Sequence, residues 1–187
     1  VGHSNLGAGR VMYQELTRIT QSIADGTFYE NPSFVTACRS VSPESTLHIM
    51  GLVSDGGVHS HIDHLLALLE LAAQRRVVKV LIHCFLDGRD TDPRSGVRFI
   101  KQLEREMESI GIGRIATISG RYYAMDRDKR WERVKEAYEA IVMGLGPTFD
   151  DPDEAVEESY HREVTDEFVR PMVREGYRGM ADGDGVI

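Results

Sequence analysis

Three short stretches gather the side chains best suited to chemistry: Ser54 to His61, Asp87 to Asp92, and Arg121 to Arg127. The first supplies His59 and His61, the second Arg89 and Asp90, the third Arg121 and Arg127. An arginine fork matches the oxygens of a carboxylate or phosphate in bidentate fashion. Two or three such forks beside one carboxylate and one imidazole therefore describe a site for a small anion. Asp90, set among those cations, is suited to act as a base toward a hydroxyl beside it. Taken singly, each residue has a plainer reading. Arg94, Arg98, Arg130 and Arg133 read as helix-face charges, Tyr122 and Tyr123 as packing, Asp87 as a turn residue with Gly88, and Asp92 as a helix cap. Only a common location lifts Arg89, Asp90, Arg121 and Arg127 above that background.

The elements ahead of the three stretches supply that location. Thr46–Val53, Val77–Leu86 and Arg114–Ser119 read as strands, the second apolar enough to be covered on both faces. Each empties into one of the three stretches, and each stretch leads into a helical pattern. The first helix carries Leu65, Leu66, Leu68, Leu69 and Leu71. The second runs from about Pro93 to Ile110, with Val97, Ile100, Leu103 and Met107 on one face. The third lies near Trp131–Met143, with Trp131, Val134, Tyr138 and Ile141 as its expected buried face. Repeated strand–helix–strand units imply right-handed crossovers, and so an α/β fold: a three-layer α/β/α arrangement around a mainly parallel sheet. In such a sheet the carboxyl ends of the strands share one edge, where ligands bind. All three stretches are thus expected on one edge.

Upstream, a helical pattern starts at Val11, with Met12, Leu16, Ile19 and Ile23 on one face and Gly26 after it. Asn31-Pro32 then reads as a cap and first turn of a short helix through about Cys38. Residues 1–10 are glycine-rich but lack the preceding strand that a phosphate loop requires. Residues 150–167 are acidic enough to be a solvated face. The chain opens on Val1 without Met, and Asp182-Gly183-Asp184-Gly185-Val186-Ile187 reads as a turn running into a strand, so it is expected to be a piece of a longer polypeptide.

Composition narrows the function. There are 22 Lys and Arg against 30 Asp and Glu, a formal net charge of −8. That balance argues against a general nucleic-acid or acidic-membrane binder, since both need a cationic footprint. Neither a membrane span nor a signal peptide is apparent. Cys38 and Cys84 form no framework and read as reduced structural thiols in a cytosolic protein. One rival reading stands on spacing. His59-Ser60-His61-Ile62-Asp63-His64 spells H-x-H-x-D-H, a metal-ligand set of metallo-β-lactamase-like hydrolases. That family needs further ligands and a sandwich of two sheets, whereas the later histidines here are His83, in a strand, and His161, in an acidic segment. His64 is expected to pack or cap at the start of the Leu-rich helix, leaving His59 as the functional histidine. A non-catalytic small-anion-binding α/β module is a further alternative.

The same stretches carry a resemblance. Ser54-Asp55-Gly56-Gly57-Val58-His59-Ser60-His61, Phe85-Leu86-Asp87-Gly88-Arg89-Asp90-Thr91 and Gly120-Arg121-Tyr122-Tyr123-Ala124-Met125-Asp126-Arg127-Asp128-Lys129-Arg130-Trp131 closely resemble the cofactor-independent phosphoglycerate mutase family. So do Val1-Gly2-His3 through Gly7-Ala8-Gly9-Arg10 and Thr165-Asp166-Glu167-Phe168. The resemblance implies interconversion of 3-phosphoglycerate and 2-phosphoglycerate in glycolysis, in the cytoplasm, with no bisphosphoglycerate. It implies an alkaline-phosphatase-like domain bearing a serine nucleophile and two Mn2+ ions, into which a substrate domain is inserted. On that pattern residues 1–10 are a remnant of the phosphatase-like domain and linker. Residues 11–187 are the substrate-binding domain, truncated at its C-terminal end. His59 would contact substrate or phosphoryl oxygens, Arg121 and Arg127 would hold anionic groups, Arg89 would orient the glycerate, and Asp90 would move the hydroxyl proton. The serine, the manganese ligands and a further arginine motif are expected outside these 187 residues, so the chain alone is expected to be inactive.

Overall fold

The computed structural model describes Gly7 and residues 14–187. The remainder of the glycine-rich opening, and the helix start expected at Val11 and Met12, lie outside the described residues. Helix α1 spans Glu15–Ala24, and Gly26 turns the chain with φ of 84°. Helix α2 spans Pro32–Ser40; Asn31 caps it by accepting from the Ser33 amide at 3.0 Å, and Pro32 occupies the first turn, where its missing N–H costs nothing.

The core alternates as expected: β1 (Leu47–Leu52), α3 (Ile62–Gln74), β2 (Val80–Leu86), α4 (Gly96–Ile110), β3 (Arg114–Gly120), a single-turn α5 (Arg121–Ala124) and α6 (Trp131–Met143). Then come β4 (Thr148–Phe149), α7 (Pro152–His161), β5 (Met172–Arg174) and β6 (Gly185–Val186). One sheet runs β4-β5-β3-β2-β1-β6. β6, β1, β2 and β3 are parallel, while β5 runs antiparallel to β3 and carries β4 alongside it. This is the expected α/β class with a mainly parallel sheet. The strand expected after the turn at Asp182-Gly183 is present as β6, whereas the short strands β4 and β5 were not legible, because two or three residues show no alternation.

The strand period of two sorts side chains between the sheet's faces. Leu47, Ile49, Ile82, Cys84, Leu86, Ile115 and Ile118 pack in one cluster with Leu69, Phe99, Ile100, Leu103 and Val156 from α3, α4 and α7. α6 covers β3 and β5, burying Ala137, Ala140 and Ile141. Trp131 and Tyr138 were expected on that buried face but are 69% and 56% exposed. The alanine flank lets the helix lie close to the sheet, which rotates the bulky stripe outward. α4 also starts three residues later than expected. Asp92 accepts from the Arg94 amide at 2.9 Å, forming a turn around Pro93 instead of capping the helix. The helix proper opens at Gly96, whose amide donates to Asp166 Oδ2 at 2.8 Å. Among the described residues no helix is long and apolar enough to cross a membrane.

His48, His83 and Thr117 are fully or almost fully buried polar residues of the three central strands. The two imidazoles share a hydrogen bond of 2.8 Å, His83 pairs with Thr117 Oγ1 at 2.9 Å, and His48 pairs with Asp184 Oδ2 at 3.1 Å. Burial, aided by nearby His48, pushes His83 down from 6.5 to about 3. Folding thus favours its neutral form. The stability it contributes is complete above pH 6.5 and is lost progressively as pH falls toward about 3. His83→Gln should therefore flatten the acid side of a plot of urea midpoint against pH between about pH 6 and 4. An unchanged slope would show that His83 is not a source of acid lability.

Candidate functional site

Because β1, β2 and β3 are parallel, their carboxyl ends deliver three loops to one edge of the sheet. All five expected residues, His59, Arg89, Asp90, Arg121 and Arg127, line a single cavity there of about 190 Å³. A larger hollow of about 610 Å³ involves the first residue of β3 and the C-terminal part of α4, with Glu104, Met107 and Arg174 among its lining. The arginines that follow the strands converge on the smaller one.

Arg121 is the first residue of α5, directly after the strand, and its side chain is only 10% exposed. Its Nη1 donates to Asp87 Oδ1 and to Asp90 Oδ2, both at 2.7 Å. Burial alone would weaken its hold on a proton, but the two carboxylates outweigh that and raise its pKa further. His59 Nε2 lies 3.9 Å from the same Asp90 oxygen. One carboxylate oxygen therefore faces both a guanidinium and an imidazole.

Asp87 proves more than a turn residue. It accepts from the amides of Arg89 at 3.2 Å and Asp90 at 3.0 Å, as a turn requires, and also from Ser54 Oγ at 2.7 Å and from Arg121. Burial pulls its carboxyl up, yet the hydrogen bonds from Asp90, Ser54, Arg121 and Arg89 together hold it below the usual carboxylate range. Arg133 is likewise not a surface charge. It lines the cavity, donates to Asp126 Oδ1 at 3.2 Å, and sets its guanidinium 3.7 Å from the centre of the Tyr122 ring. Asp126 also takes the Arg130 amide at 2.9 Å, which braces the backbone around Arg127. Arg94 and Arg98 do behave as surface charges, paired with Glu163 at 2.7 Å and Asp55 at 3.2 Å.

A fourth segment reaches the site that charge reasoning did not single out. The 3-10 turn Asp166–Phe168 brings Glu167 into the cavity lining, 3.7 Å from Arg89 Nη1. Its seat is cut by glycines. A Cβ on Gly120 would lie 2.2 Å from the Glu167 carbonyl oxygen, and one on Gly88 would lie 2.8 Å from Asp166 Cβ. Asp166 is fully buried, accepts from the Gly96 amide and Tyr160 hydroxyl, and has its carboxyl pushed by burial up to about 6. The clash at Gly120 is with backbone, which no rotamer change relieves. Gly120→Ala should cost about 1–3 kcal/mol or more in urea unfolding. Wild-type stability in that variant would contradict the packing described.

The H-x-H-x-D-H spacing does not gather as a metal set. His61 Nδ1 accepts from the Asp63 amide at 3.2 Å, so His61 rather than His64 caps α3. His64 Nε2 pairs with Thr20 Oγ1 of α1 at 3.0 Å. Among the described residues, no three His, Cys, Asp or Glu side chains cluster where they could hold a metal ion.

Residues 19–187 match the family model described as the N-terminus of BPG-independent phosphoglycerate mutase. The chain belongs to the bisphosphoglycerate-independent phosphoglycerate mutase family. It is 57% identical to the mutase of that name from Clostridium perfringens (strain SM101 / Type A), over 100% of this chain and 38% of the relative. It is 56% identical to the mutase from Symbiobacterium thermophilum, over 100% of this chain and 37% of that one. It thus spans little more than a third of the length of these mutases. A crystal structure of Leishmania mexicana phosphoglycerate mutase at low cobalt concentration superposes with a TM-score of 0.86 at 30% identity, covering 95% of this chain and 35% of that one.

Proposed function

We propose that this chain is the glycerate-binding part of a cytoplasmic, glycolytic mutase that interconverts 3-phosphoglycerate and 2-phosphoglycerate without bisphosphoglycerate. The observation that supports it most is the meeting of Arg89, Arg121, Arg127, His59 and Asp90 in one small cavity. A phosphoglycerate carries a carboxylate, a phosphate and a hydroxyl on three carbons. The arginine forks suit the first two, and Asp90 suits the third. In this reading a serine on the phosphatase-like domain of the same polypeptide takes the phosphoryl group. The glycerate turns over while held by Arg89, Arg121 and Arg127, and the other hydroxyl receives the phosphoryl group. Asp90 gives a proton to the glycerate oxygen that loses the phosphoryl group and takes one back from the hydroxyl that then receives it, while His59 stands beside the transferred group.

Two Mn2+ ions belong to this reading, and they would supply Lewis-acid stabilisation of the phosphoryl group. The described residues gather no donor set for them. In this reading their ligands lie, like the serine, on the phosphatase-like domain, and no step here is routed through them. The deciding experiment is steady-state turnover of 3-phosphoglycerate by the full-length polypeptide with manganese and without bisphosphoglycerate, beside the 187-residue chain alone. The full-length protein is expected to turn over and the chain alone is not. An inactive full-length protein, or an active isolated chain, would overturn the assignment.

A further inference from the structure

Beneath the cavity lies a carboxylate that the proposed chemistry does not use. Asp87 is 3% exposed, and its partners come from all three strand-end segments. Ser54 follows β1, Arg89 and Asp90 follow β2, and Arg121 follows β3. A turn-shaping aspartate needs only the two backbone amides. The bonds from Ser54 Oγ and Arg121 Nη1, both 2.7 Å, tie the neighbouring loops to this one. Close approach is built in at Gly56, where a Cβ would lie 3.3 Å from Asp87 Oδ2 and 3.1 Å from Asp90 Cβ.

Arg121 Nη1 bridges Asp87 and Asp90 at equal distances of 2.7 Å. A guanidinium facing a single carboxylate closes on it as a two-bond fork. Such a fork would engage both oxygens of Asp90 and weaken each as an acceptor for a hydroxyl proton. Asp87 takes a share of the guanidinium and holds it at the back of the site. We propose that Asp87 is a positioning residue: it anchors Arg121 so that Asp90 stays available to the glycerate hydroxyl. This rests on the mutase reading above.

The test is a two-by-two set in the full-length polypeptide: wild type, Asp87→Asn, Arg121→Met and the double variant. Asparagine keeps an oxygen for the two backbone amides but removes the charge that holds Arg121. Asp87→Asn should lower kcat about 10- to 100-fold with KM little changed. In the Arg121→Met background it should lower kcat no further. It should also raise the urea midpoint relative to Arg121→Met alone, because it removes a buried charge left without its partner. An unchanged kcat in Asp87→Asn, the same fractional loss in both backgrounds, or a lower midpoint in the double variant would overturn the proposal. If Asp87→Asn does not fold, Ser54→Ala carries the test: it removes one tether of Asp87, kcat should fall, and an unchanged kcat would overturn the proposal. Wild-type turnover reports separately on the mutase reading. If the wild type is inactive, the same four proteins are compared for affinity toward inorganic phosphate, where additive losses would overturn the role of Asp87.

Discussion

Replacing Asp90 with Asn is expected to lower turnover of 3-phosphoglycerate by the full-length polypeptide about 10²- to 10⁴-fold, the usual contribution of a positioned general base. The side chain keeps its size and one acceptor oxygen, so Arg121 keeps a neighbour at Asp90 Oδ2. Substrate affinity, measured by calorimetry, should therefore change far less than kcat. The split matters because a loss confined to kcat marks an interaction made in the transition state, whereas uniform binding would appear in KM. If this segment is instead a non-catalytic module that binds small anions, Asp90→Asn should leave the turnover of the full-length polypeptide intact. Turnover within a fewfold of wild type in Asp90→Asn would remove the proton-transfer role and favour that simpler module.

The second large effect concerns Arg121. Its side chain is 10% exposed and that of Asp87 is 2% exposed, so the two form a buried pair rather than a surface one. Removing one partner of a buried pair typically costs about 3–5 kcal/mol, because the other charge is left without compensation. Arg121→Met should lose stability on that order in urea titration and also lose affinity for the phosphoglycerate. By contrast Arg94→Met, which removes an exposed partner of Glu163, should cost no more than about 1 kcal/mol. Similar losses at the two positions would mean that the buried geometry around Arg121 is wrong.

What could be read from residue types was the edge. Three strands with strong apolar runs, each ending in a charged stretch, place Arg89, Asp90, Arg121, Arg127 and His59 together once the sheet is parallel, and the structure places them so. What could not be read follows from the range of the interactions involved. Glu167 enters the cavity from a turn ahead of β5, a strand of three residues with no periodic signal. Asp166 reaches an amide 70 positions earlier in the chain, at the start of α4. Asp87 and Arg133 each matched a local rule, as turn residue and helix-face charge, and the local rule hid a tertiary partner. Trp131 and Tyr138 share a helical stripe by spacing, but the alanines at 137 and 140 decide which stripe meets the sheet. The H-x-H-x-D-H spacing failed for a related reason: an N-cap and an interhelix bond, at His61 and His64, use the same residue types as a metal site.

The cavity at the strand ends is proposed to hold the glycerate. The most direct measurement is a crystal structure of the full-length polypeptide with 3-phosphoglycerate bound. The anionic groups of the ligand are expected on Arg89, Arg121 and Arg127, with a glycerate hydroxyl within hydrogen-bond distance of Asp90. A ligand seated elsewhere, with Asp90 facing only Arg121 and Asp87, would contradict it.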